Sequence, residues 1–280
     1  MTTKLLTIFT RTPLHVGAGS SVGAVDQPII RERHTHYPVI PGSSLKGVLA
    51  DLFIGEKETH DRLFGTVDHV GSLFVGESKI LAFPVRSAAG CFAYVTCPLA
   101  LERFNRDTGF GIPVPSIPTT ESVALPKDTI LRIDEKVIFE EYPLSVVPWE
   151  LGNECRLKDL SRDVAWTGEC SNGQCAKLEE FGKRSAVISD TLFKYFVENA
   201  CEIANHNVID DETGVVKNFF NQENIPSETM FYCVLNSKHG DDFTVIDTKL
   251  KENKYLLQIG ADITTGLGWC SVKLQGNYSV

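Results

Sequence analysis

The alternation of apolar and polar positions predicts strands near both ends of the chain. Residues Leu5 to Phe9 alternate in this way, and the pattern resumes at Leu14 and Val16 after Pro13. Apolar runs bounded by turn-forming residues predict six further strands, at Ser72–Val75, Lys79–Phe83, Phe92–Thr96, Met230–Leu235, Leu256–Ile259 and Trp269–Leu274. The chain is therefore expected to be rich in strands.

Two segments carry the three- and four-residue spacing of amphipathic helices. The first follows Pro41-Gly42-Ser43-Ser44, and its apolar face is formed by Leu45, Val48, Leu49, Leu52 and Phe53. The second follows Ser189 or Asp190, either of which suits a helix N-cap. A short third helix is expected at Pro98. In chain order, these elements predict an α+β fold with a modified ferredoxin-like or RNA-recognition-motif core.

Three segments interrupt this pattern. Residues 105–128 contain four prolines and little periodicity, and residues 153–183 are equally irregular, so both are expected to be large insertions. Residues 206–225 hold polar strand-like stretches around the turn-like segment 211–214, which predicts a projecting β-hairpin. The whole chain, residues 1–280, is expected to form a single decorated domain.

Composition narrows the setting of the protein. The 280 residues, 42% of them apolar, are enough to bury a sizeable core. No stretch approaches the roughly 18 consecutive apolar residues of a membrane span, so a cytoplasmic protein is expected. The eight cysteines are too sparse for a disulfide framework. Cys155, Cys170 and Cys175 lack an evident fourth ligand, so a structural zinc site and ordinary loop cysteines both stay open.

The net charge of −9 argues against a generally basic nucleic-acid-binding protein. A binding groove, however, needs only local Lys, Arg and backbone N–H groups, because net charge acts mainly through long-range steering. An acidic remainder also keeps a protein in solution. The charge therefore does not exclude nucleic acid as a ligand.

A phosphate site is predicted at the start of the first helix. Ser43, Ser44 and Lys46 place two hydroxyls, free backbone N–H groups and a positive charge where the helix dipole favours anions. The alternative is that a serine only caps the helix and Lys46 is solvated. The chain has no Gly-x-x-x-x-Gly-Lys-Ser/Thr motif, so a nucleotide-hydrolysing P-loop is not expected.

Two glycine-containing loops are candidates for close approach to a ligand. Gly17 and Gly19 follow the first strand, and Gly266 and Gly268 precede the last strand. A tight turn explains two closely spaced glycines equally well. A dinucleotide site is disfavoured, because no helix and no ribose-binding acid follow the second loop.

The first glycine-rich loop also carries Asp26, and His15 lies at the end of the strand before it. A carboxylate can bind a divalent ion, and an imidazole can move a proton at a phosphodiester. Equally, a loop aspartate is often a turn former, and a strand-end histidine is often a satisfied polar residue. These two residues alone leave both interpretations open.

Several motifs taken together resemble the RAMP superfamily, the repeat-associated mysterious proteins. In order, the motifs are Leu14–Gly19, Gly23–Ile29, Ile40–Gly47, Arg184–Asp190, Glu223–Pro226 and Ile259–Trp269. They match the family in order and spacing over nearly the whole chain. Within the superfamily the sequence is most similar to the backbone subunit of type III-B CRISPR effectors, the Cmr complex. It departs from the family pattern at Ala50, where relatives often carry arginine.

The resemblance implies an RNA-guided endoribonuclease. Copies of the subunit, together with other subunits of the type III effector, would stack along a guide RNA (crRNA) that pairs with a single-stranded target RNA. Asp26 matches the cleaving aspartate and would bind Mg²⁺ or Mn²⁺, with His15 as a second catalytic candidate. The hairpin would act as a thumb that displaces a base pair at regular intervals. The positions expected to contact RNA are Gly17, Gly19, Ser43, Ser44, Lys46, Arg184, Glu223, Gly266 and Gly268.

Three other functions stay open from the sequence. The subunit would be a non-catalytic scaffold for guide RNA if Asp26 were only a turn residue. A guide-processing endoribonuclease of the same superfamily would act alone on precursor hairpins and need no metal ion. A small-molecule enzyme is disfavoured, because no paired acids suggest a substrate pocket.

Overall fold

The computed structural model describes residues 1–150, 181–209 and 212–276. Its helices are α1 Gly42–Asp51, α2 Lys57–Phe64, α3 Pro98–Thr108, α4 Asp190–Asn199 and α5 Asp241–Glu252. Its strands are β1 Thr2–Thr10, β2 Val39–Ile40, β3 Leu73–Val75, β4 Ser78–Arg86, β5 Phe92–Thr96, β6 Ser122–Leu125, β7 Lys136–Phe139, β8 Tyr142–Pro148, β9 Ser185–Ile188, β10 Glu202–Ile209, β11 Val216–Asn224, β12 Met230–Ser237, β13 Leu256–Gln258 and β14 Trp269–Gln275. The predicted α+β class is confirmed.

Most of the strands in the described residues form one large sheet, in the order β13-β14-β1-β12-β4-β5-β9-β6-β8-β7, with β2 on β4 and β3 on β12. In this sheet β1 lies between β12 and β14 and is antiparallel to both, and β12 is antiparallel to β4. The chain passes from β1 through α1 to β4, and from β12 through α5 to β14. The first strand of the chain therefore depends on two of the last strands for its pairing.

Both faces of the central sheet are buried. Leu6 and Ile8 of β1 share a core cluster with Leu45 and Leu49 of α1 and with apolar residues of α5. The alternate residues of β1 belong to a second cluster that includes residues of α3, with members such as Leu5, Phe9, Leu101 and Phe104. Because successive strand residues point to opposite faces, helices cover the sheet on both sides.

Several sequence predictions need correction in the segment 105–128. Helix α3 continues to Thr108, and Gly109 ends it in the left-handed region with φ +68°. Strand β6 is buried at all four positions and pairs with β8 and β9. The prolines misled the prediction, because they flank this short strand and leave it free to pair. The residues between α3 and β6, and residues 126–128 after β6, lie in connections without helix or strand.

The predicted hairpin exists and is longer than expected. Strands β10 and β11 form a two-stranded sheet of their own, in register from Glu202 opposite Asn224 outwards. Its exposed apolar side chains include Ile203, Val216 and Phe219, and His206 stacks on Phe220 with ring centroids 4.9 Å apart. The hairpin is therefore an arm with little packing of its own.

Helix α5, which the sequence analysis did not predict, is joined to its neighbours through a buried carboxylate. Asp242 accepts hydrogen bonds from the hydroxyls of Ser72 at 2.6 Å and Ser237 at 2.5 Å, and it pairs with Arg62. Burial alone would raise the pKa of this carboxyl, but the hydroxyls and the guanidinium hold the pKa below its usual value. This cluster links α2, α5 and the end of β12.

No helix in the described ranges is long and apolar enough to cross a membrane. Cys155, Cys170 and Cys175, together with almost all of the predicted insertion at residues 153–183, lie outside the described residues.

Candidate functional site

The predicted site segments meet at the foot of the hairpin, residues 221–225. Leu14 and Ile225 exchange backbone hydrogen bonds in both directions, of 2.8 and 2.9 Å. On the other side, Gln27 pairs with the foot in parallel: its N–H donates to the carbonyl of Asn221, and its carbonyl accepts from the N–H of Glu223. The hairpin foot thus lies between the isolated bridge at Leu14 and the loop that carries Asp26.

Asp26 is exposed and is bound to the hairpin foot by reciprocal hydrogen bonds. Its Oδ2 accepts from the backbone N–H of Asn221 at 2.9 Å, and its own N–H donates to Oδ1 of Asn221 at 2.7 Å. Nδ2 of Asn221 also donates to the carbonyl of Ala24 at 3.3 Å. The carboxylate is therefore open to solvent while the backbone that carries it is fixed.

Glu223 points inwards from the same foot. Its carboxylate accepts from the N–H of Ile29 at 3.1 Å and pairs with Arg31 at 2.5 Å. Arg31 also donates to the thiol of Cys201 at 3.5 Å, and burial raises the pKa of that thiol to about 12. The thiol of Cys201 therefore stays protonated at neutral pH.

His15 is buried, and its Nδ1 lies 2.7 Å from the carbonyl of Glu223. A carbonyl only accepts, so Nδ1 carries a proton and donates it to this carbonyl. Nε2 faces the backbone at Gly17, where an added Cβ would approach it to 2.7 Å. The imidazole therefore fills the space between the hairpin foot and the start of the glycine-rich loop.

The C-terminal glycine loop packs behind this arrangement. The N–H of Ala261 donates to the carbonyl of His15 at 2.9 Å, and the N–H of Gly268 donates to the carbonyl of Pro13 at 2.8 Å. Nε2 of Gln222 donates to Oδ2 of Asp262 at 2.7 Å. The two predicted glycine loops are thus joined to each other through the segment Pro13–His15 and the hairpin foot.

The four predicted glycines fall into two kinds. A Cβ at Gly17 would meet the His15 ring, and a Cβ at Gly268 would lie 2.0 Å from the carbonyl oxygen of Ile259, so these two glycines serve internal packing. Gly19 and Gly266 have positive φ of +95° and +84° and nothing within 4 Å of an added Cβ. The second pair therefore offers bare backbone to solvent.

Helix α1 begins one short strand after the Asp26 loop. Arg31 forms a bridge with Pro38, and α1 follows β2 with Pro41 as its N-cap and no side-chain cap. Ser43 and Ser44 therefore do not cap the helix, and its first N–H groups lack intrahelical partners. Lys46 is half-buried and has no ion pair with any described residue.

Arg184 lies elsewhere, immediately before β9. Its guanidinium donates to the carbonyl of Phe92 at 3.3 Å and stacks over the Phe92 ring at 5.1 Å from the centroid. In this position Arg184 contacts the first residue of β5.

The described residues contain no group of three or more His, Cys, Asp or Glu side chains arranged to hold a metal ion. Asp26 contributes one exposed carboxylate. Mg²⁺ commonly binds through one or two carboxylates and completes its shell with water and substrate phosphates. A single carboxylate beside an RNA backbone is therefore compatible with a divalent ion.

The sequence analysis missed three residues that organise the site, namely Asn221, Arg31 and Asp262. Each acts through a partner far away in the chain: Asn221 and Asp26 are 195 positions apart, and Arg31 and Glu223 are 192 apart. Local spacing carries no signal for such contacts. The short motif Glu223–Pro226 begins two residues after Asn221.

Comparison with known proteins gives consistent similarities. The profile of the RAMP superfamily matches residues 7–271. Cmr4 of Pyrococcus furiosus, a CRISPR system Cmr endoribonuclease, is 37% identical over 293 residues, which cover 98% of this chain and 96% of Cmr4. The crystal structure of oligomeric Cmr4 from Pyrococcus furiosus superposes with a TM-score of 0.73, at 32% identity and 100% coverage of both chains.

A cryo-EM structure of the type III-B Cmr-beta complex bound to cognate target RNA contains a chain with the same fold. It matches with a TM-score of 0.73 and covers 97% of this chain and 96% of its own. At 18% identity this likeness concerns the fold alone.

Proposed function

The chain belongs to the RAMP superfamily, as its sequence motifs indicated, and from this membership we propose that it is a repeating backbone subunit of a type III-B CRISPR effector. In this proposal it binds guide RNA, stacks with further copies and with other subunits in the cytoplasm, and cleaves the paired target RNA. The observation that carries the proposal is the exposed Asp26 carboxylate, held by the foot of a projecting hairpin.

The strand order supports a ferredoxin-like or RNA-recognition-motif core. Strands β1 and β4 are both antiparallel to β12 and hence parallel to each other, and α1 connects them. This is a β-α-β unit split by an inserted strand. The same relation holds for β12 and β14, which are connected through α5 and separated by β1.

The covered sheet supports a mode of RNA binding that differs from that of an RNA-recognition motif. Such motifs stack bases on aromatic side chains of an open sheet face. Here that face lies under α3, where Phe104 packs edge-on against Tyr232 at 4.9 Å. Guide RNA would instead bind through its backbone, at the uncapped N-terminus of α1, the Lys46 ammonium and the open glycines Gly19 and Gly266.

Phosphate contacts of this kind carry no base information. Sequence would be read by pairing between guide and target, which suits a subunit that serves many different guides. The hairpin β10–β11 is proposed as the thumb. Its exposed apolar side chains, among them Phe219, suit insertion beside an unstacked base.

Cleavage in this proposal uses the nucleophile of the RNA itself. The 2′-oxygen attacks the adjacent phosphorus, the bond from phosphorus to the 5′-oxygen breaks, and the proton leaves the 2′-hydroxyl for a base while the 5′-oxygen gains one. The products are a 2′,3′-cyclic phosphate and a 5′-hydroxyl. Displacement of a nucleotide by the thumb would cost a few kcal/mol and free the backbone to reach the in-line geometry.

Asp26 would hold a divalent ion, Mg²⁺ or Mn²⁺, which supplies positive charge beside the phosphate. His15 and Glu223 would support this carboxylate from behind. Nδ1 of His15 holds the carbonyl of Glu223, and the Glu223 carboxylate holds the backbone at Ile29. We therefore assign His15 and Glu223 to the placement of the loop. In the catalytic role expected of His15 from the sequence, Nε2 would be the nitrogen that transfers a proton.

The Asp26→Asn variant tests this function. The change preserves shape and hydrogen bonding but removes the charge that binds a metal ion, so the assembled effector should capture target RNA normally and lose cleavage by about 100-fold or more. Asp51→Asn, at an exposed aspartate at the end of α1, is the matched control and should cut at the normal rate.

Denaturing gels of end-labelled target RNA measure both rate and product length. Products spaced by a constant interval are expected, because each stacked copy presents one Asp26 at an equivalent phosphate. Full-rate cleavage by Asp26→Asn would place the active site elsewhere. A complex that binds target but never cuts, with or without divalent ions, would establish the non-catalytic scaffold instead.

A further inference from the structure

The geometry points to Asn221 as the positioning residue that sets Asp26 in register with the hairpin. This inference rests on the proposed function, in which the hairpin selects the phosphate and Asp26 acts on it. Asn221 touches no RNA in this proposal. Its side chain acts through the loop backbone at Ala24 and Asp26.

The contacts of Asn221 are directed at the loop, and each has a separate atom. The side-chain oxygen accepts from the N–H of Asp26, the side-chain nitrogen donates to the carbonyl of Ala24, and the backbone N–H donates to the Asp26 carboxylate. An asparagine side chain provides one acceptor and two donors on one planar group. It can therefore grip two successive peptide groups of the loop at once.

The loop has few other means of holding its position. Residues 17–24 are all exposed, including Val22, so no apolar side chain anchors this stretch to the core. Its other hydrogen bonds are local, such as those from the N–H of Ser21 to the carbonyl of Asp26 and from the N–H of Gly23 to the Ser21 hydroxyl. Loop shape is thus set internally, whereas loop position depends on the hairpin foot.

Asn221 also belongs to β11, the strand that continues into the exposed arm. In the antiparallel register it lies opposite Asn205, and Phe219, two residues further out, points to the same side of the strand. A displacement of the arm along the RNA is therefore transmitted through two residues of strand to the Asp26 loop. The Asn221 side chain thus adds to the backbone bonds of Gln27 in keeping the displaced nucleotide and the carboxylate at a constant separation.

Loss of the side chain should consequently affect both the rate and the place of cleavage. A misplacement of about 1 Å at a reacting group costs up to about 100-fold in rate. We expect Asn221→Ala to slow cleavage by about 10- to 100-fold. Products should also end at more than one phosphate per repeat, because the loop can then take several positions.

The test uses the complete effector, assembled with guide RNA and its other subunits. Four versions of this chain are compared: Asn221→Ala, Asn221→Asp, Asn199→Ala and Asp26→Asn. Asn221→Asp keeps the acceptor for the Asp26 N–H and loses the donor to Ala24. Asn199 lies exposed at the end of α4, outside the hairpin, and its side chain donates only to the Tyr195 carbonyl of its own helix, so it is the matched control.

Three quantities are measured: the dissociation constant for target RNA, the single-turnover cleavage rate at saturating Mg²⁺, and product ends at single-nucleotide resolution. The expected result is an unchanged dissociation constant for all four versions, slow and scattered cleavage by Asn221→Ala, recovery to within about fivefold by Asn221→Asp, and normal cleavage by Asn199→Ala.

Unaltered rate and product ends in Asn221→Ala, with Asp26→Asn inactive, would overturn the inference and leave the proposed function standing. Parallel loss of assembly or target binding in Asn221→Ala would reduce Asn221 to a folding role and also overturn it. If Asn221→Asp cleaved no faster than Asn221→Ala, the hydrogen bond from the Asp26 N–H to residue 221 would have no part in positioning the loop, which would also contradict the inference. Full-rate cleavage by Asp26→Asn would instead refute the proposed function itself.

Discussion

Gly266 and Gly268 form a natural pair for testing how the C-terminal loop is built. Both have positive φ, +84° and +77°, so an alanine at either position meets similar backbone strain. Left-handed backbone costs a non-glycine residue roughly 1–2 kcal/mol, and the stiffer unfolded chain of the alanine variant returns about 0.4–1 kcal/mol. Gly266→Ala should therefore lower the free energy of unfolding by about 1 kcal/mol.

Gly268→Ala adds a steric conflict. Its Cβ would lie 2.0 Å from the carbonyl oxygen of Ile259, which is backbone and cannot swing aside. Relief requires the loop to separate from its neighbours. That movement breaks the Gly268 hydrogen bonds to Pro13, at 2.8 Å, and from Ile259, at 2.9 Å. At about 1 kcal/mol for each bond, Gly268→Ala should cost about 3 kcal/mol in total.

Urea unfolding of the purified chain, followed by circular dichroism, measures the difference directly. Both variants and the unaltered chain are compared at several protein concentrations, because self-association would stabilise the folded state. In thermal unfolding, the gap of about 2 kcal/mol corresponds to about 4–8 °C for a chain of this size. Equal losses of stability in Gly266→Ala and Gly268→Ala would refute the steric argument.

Two further predictions concern charge. Lys46→Ala should weaken the binding of guide RNA about threefold for each copy of the chain and lower the slope of log affinity against log salt concentration by about 0.7. Lys57→Ala, at an exposed lysine that begins α2, should change neither quantity. If filter binding at several salt concentrations gave the same slope for Lys46→Ala as for the unaltered chain, Lys46 would not contact a phosphate. The pKa of Asp242 is depressed in the fold, so its charge stabilises the protein above about pH 4 and this contribution is lost as pH falls further. Asp242→Asn should thus cost about 1–3 kcal/mol at pH 7 and progressively less in unfolding titrations below about pH 4, and a constant difference down to pH 3 would contradict the assignment.

The sequence predicted best those elements whose signals are local. Helix α1 follows from the spacing of Leu45 and Leu49, and α4 starts where Ser189 accepts from the N–H of Leu192 at 3.2 Å. Helix α5 had comparable signals, with Phe243, Ile246 and Leu250 on one face and acidic residues in its first turn, but the sequence analysis assigned no element to this segment.

The candidate site divides in the same way. Asp26, Lys46 and the open glycines were accessible from the sequence, because each belongs to a short motif with a chemical meaning. The inward direction of Glu223 was not accessible, since it depends on Arg31. Nor was the internal role of Gly268, which depends on a carbonyl nine residues earlier in the chain. Only the folded chain distinguishes a glycine that serves a ligand from one that serves its own neighbours.

The position of β1 between β12 and β14 determines when this protein can fold during translation. Asn236, the partner of Thr3, follows it by 233 residues. At about 5–20 residues per second, the ribosome needs about 12–50 s to deliver it. The apolar β1 lacks its sheet partners for that time, a condition that favours aggregation. The Asp26 loop likewise lacks its hairpin foot until almost four-fifths of the chain has been made, so the loop is fixed in place only late in synthesis.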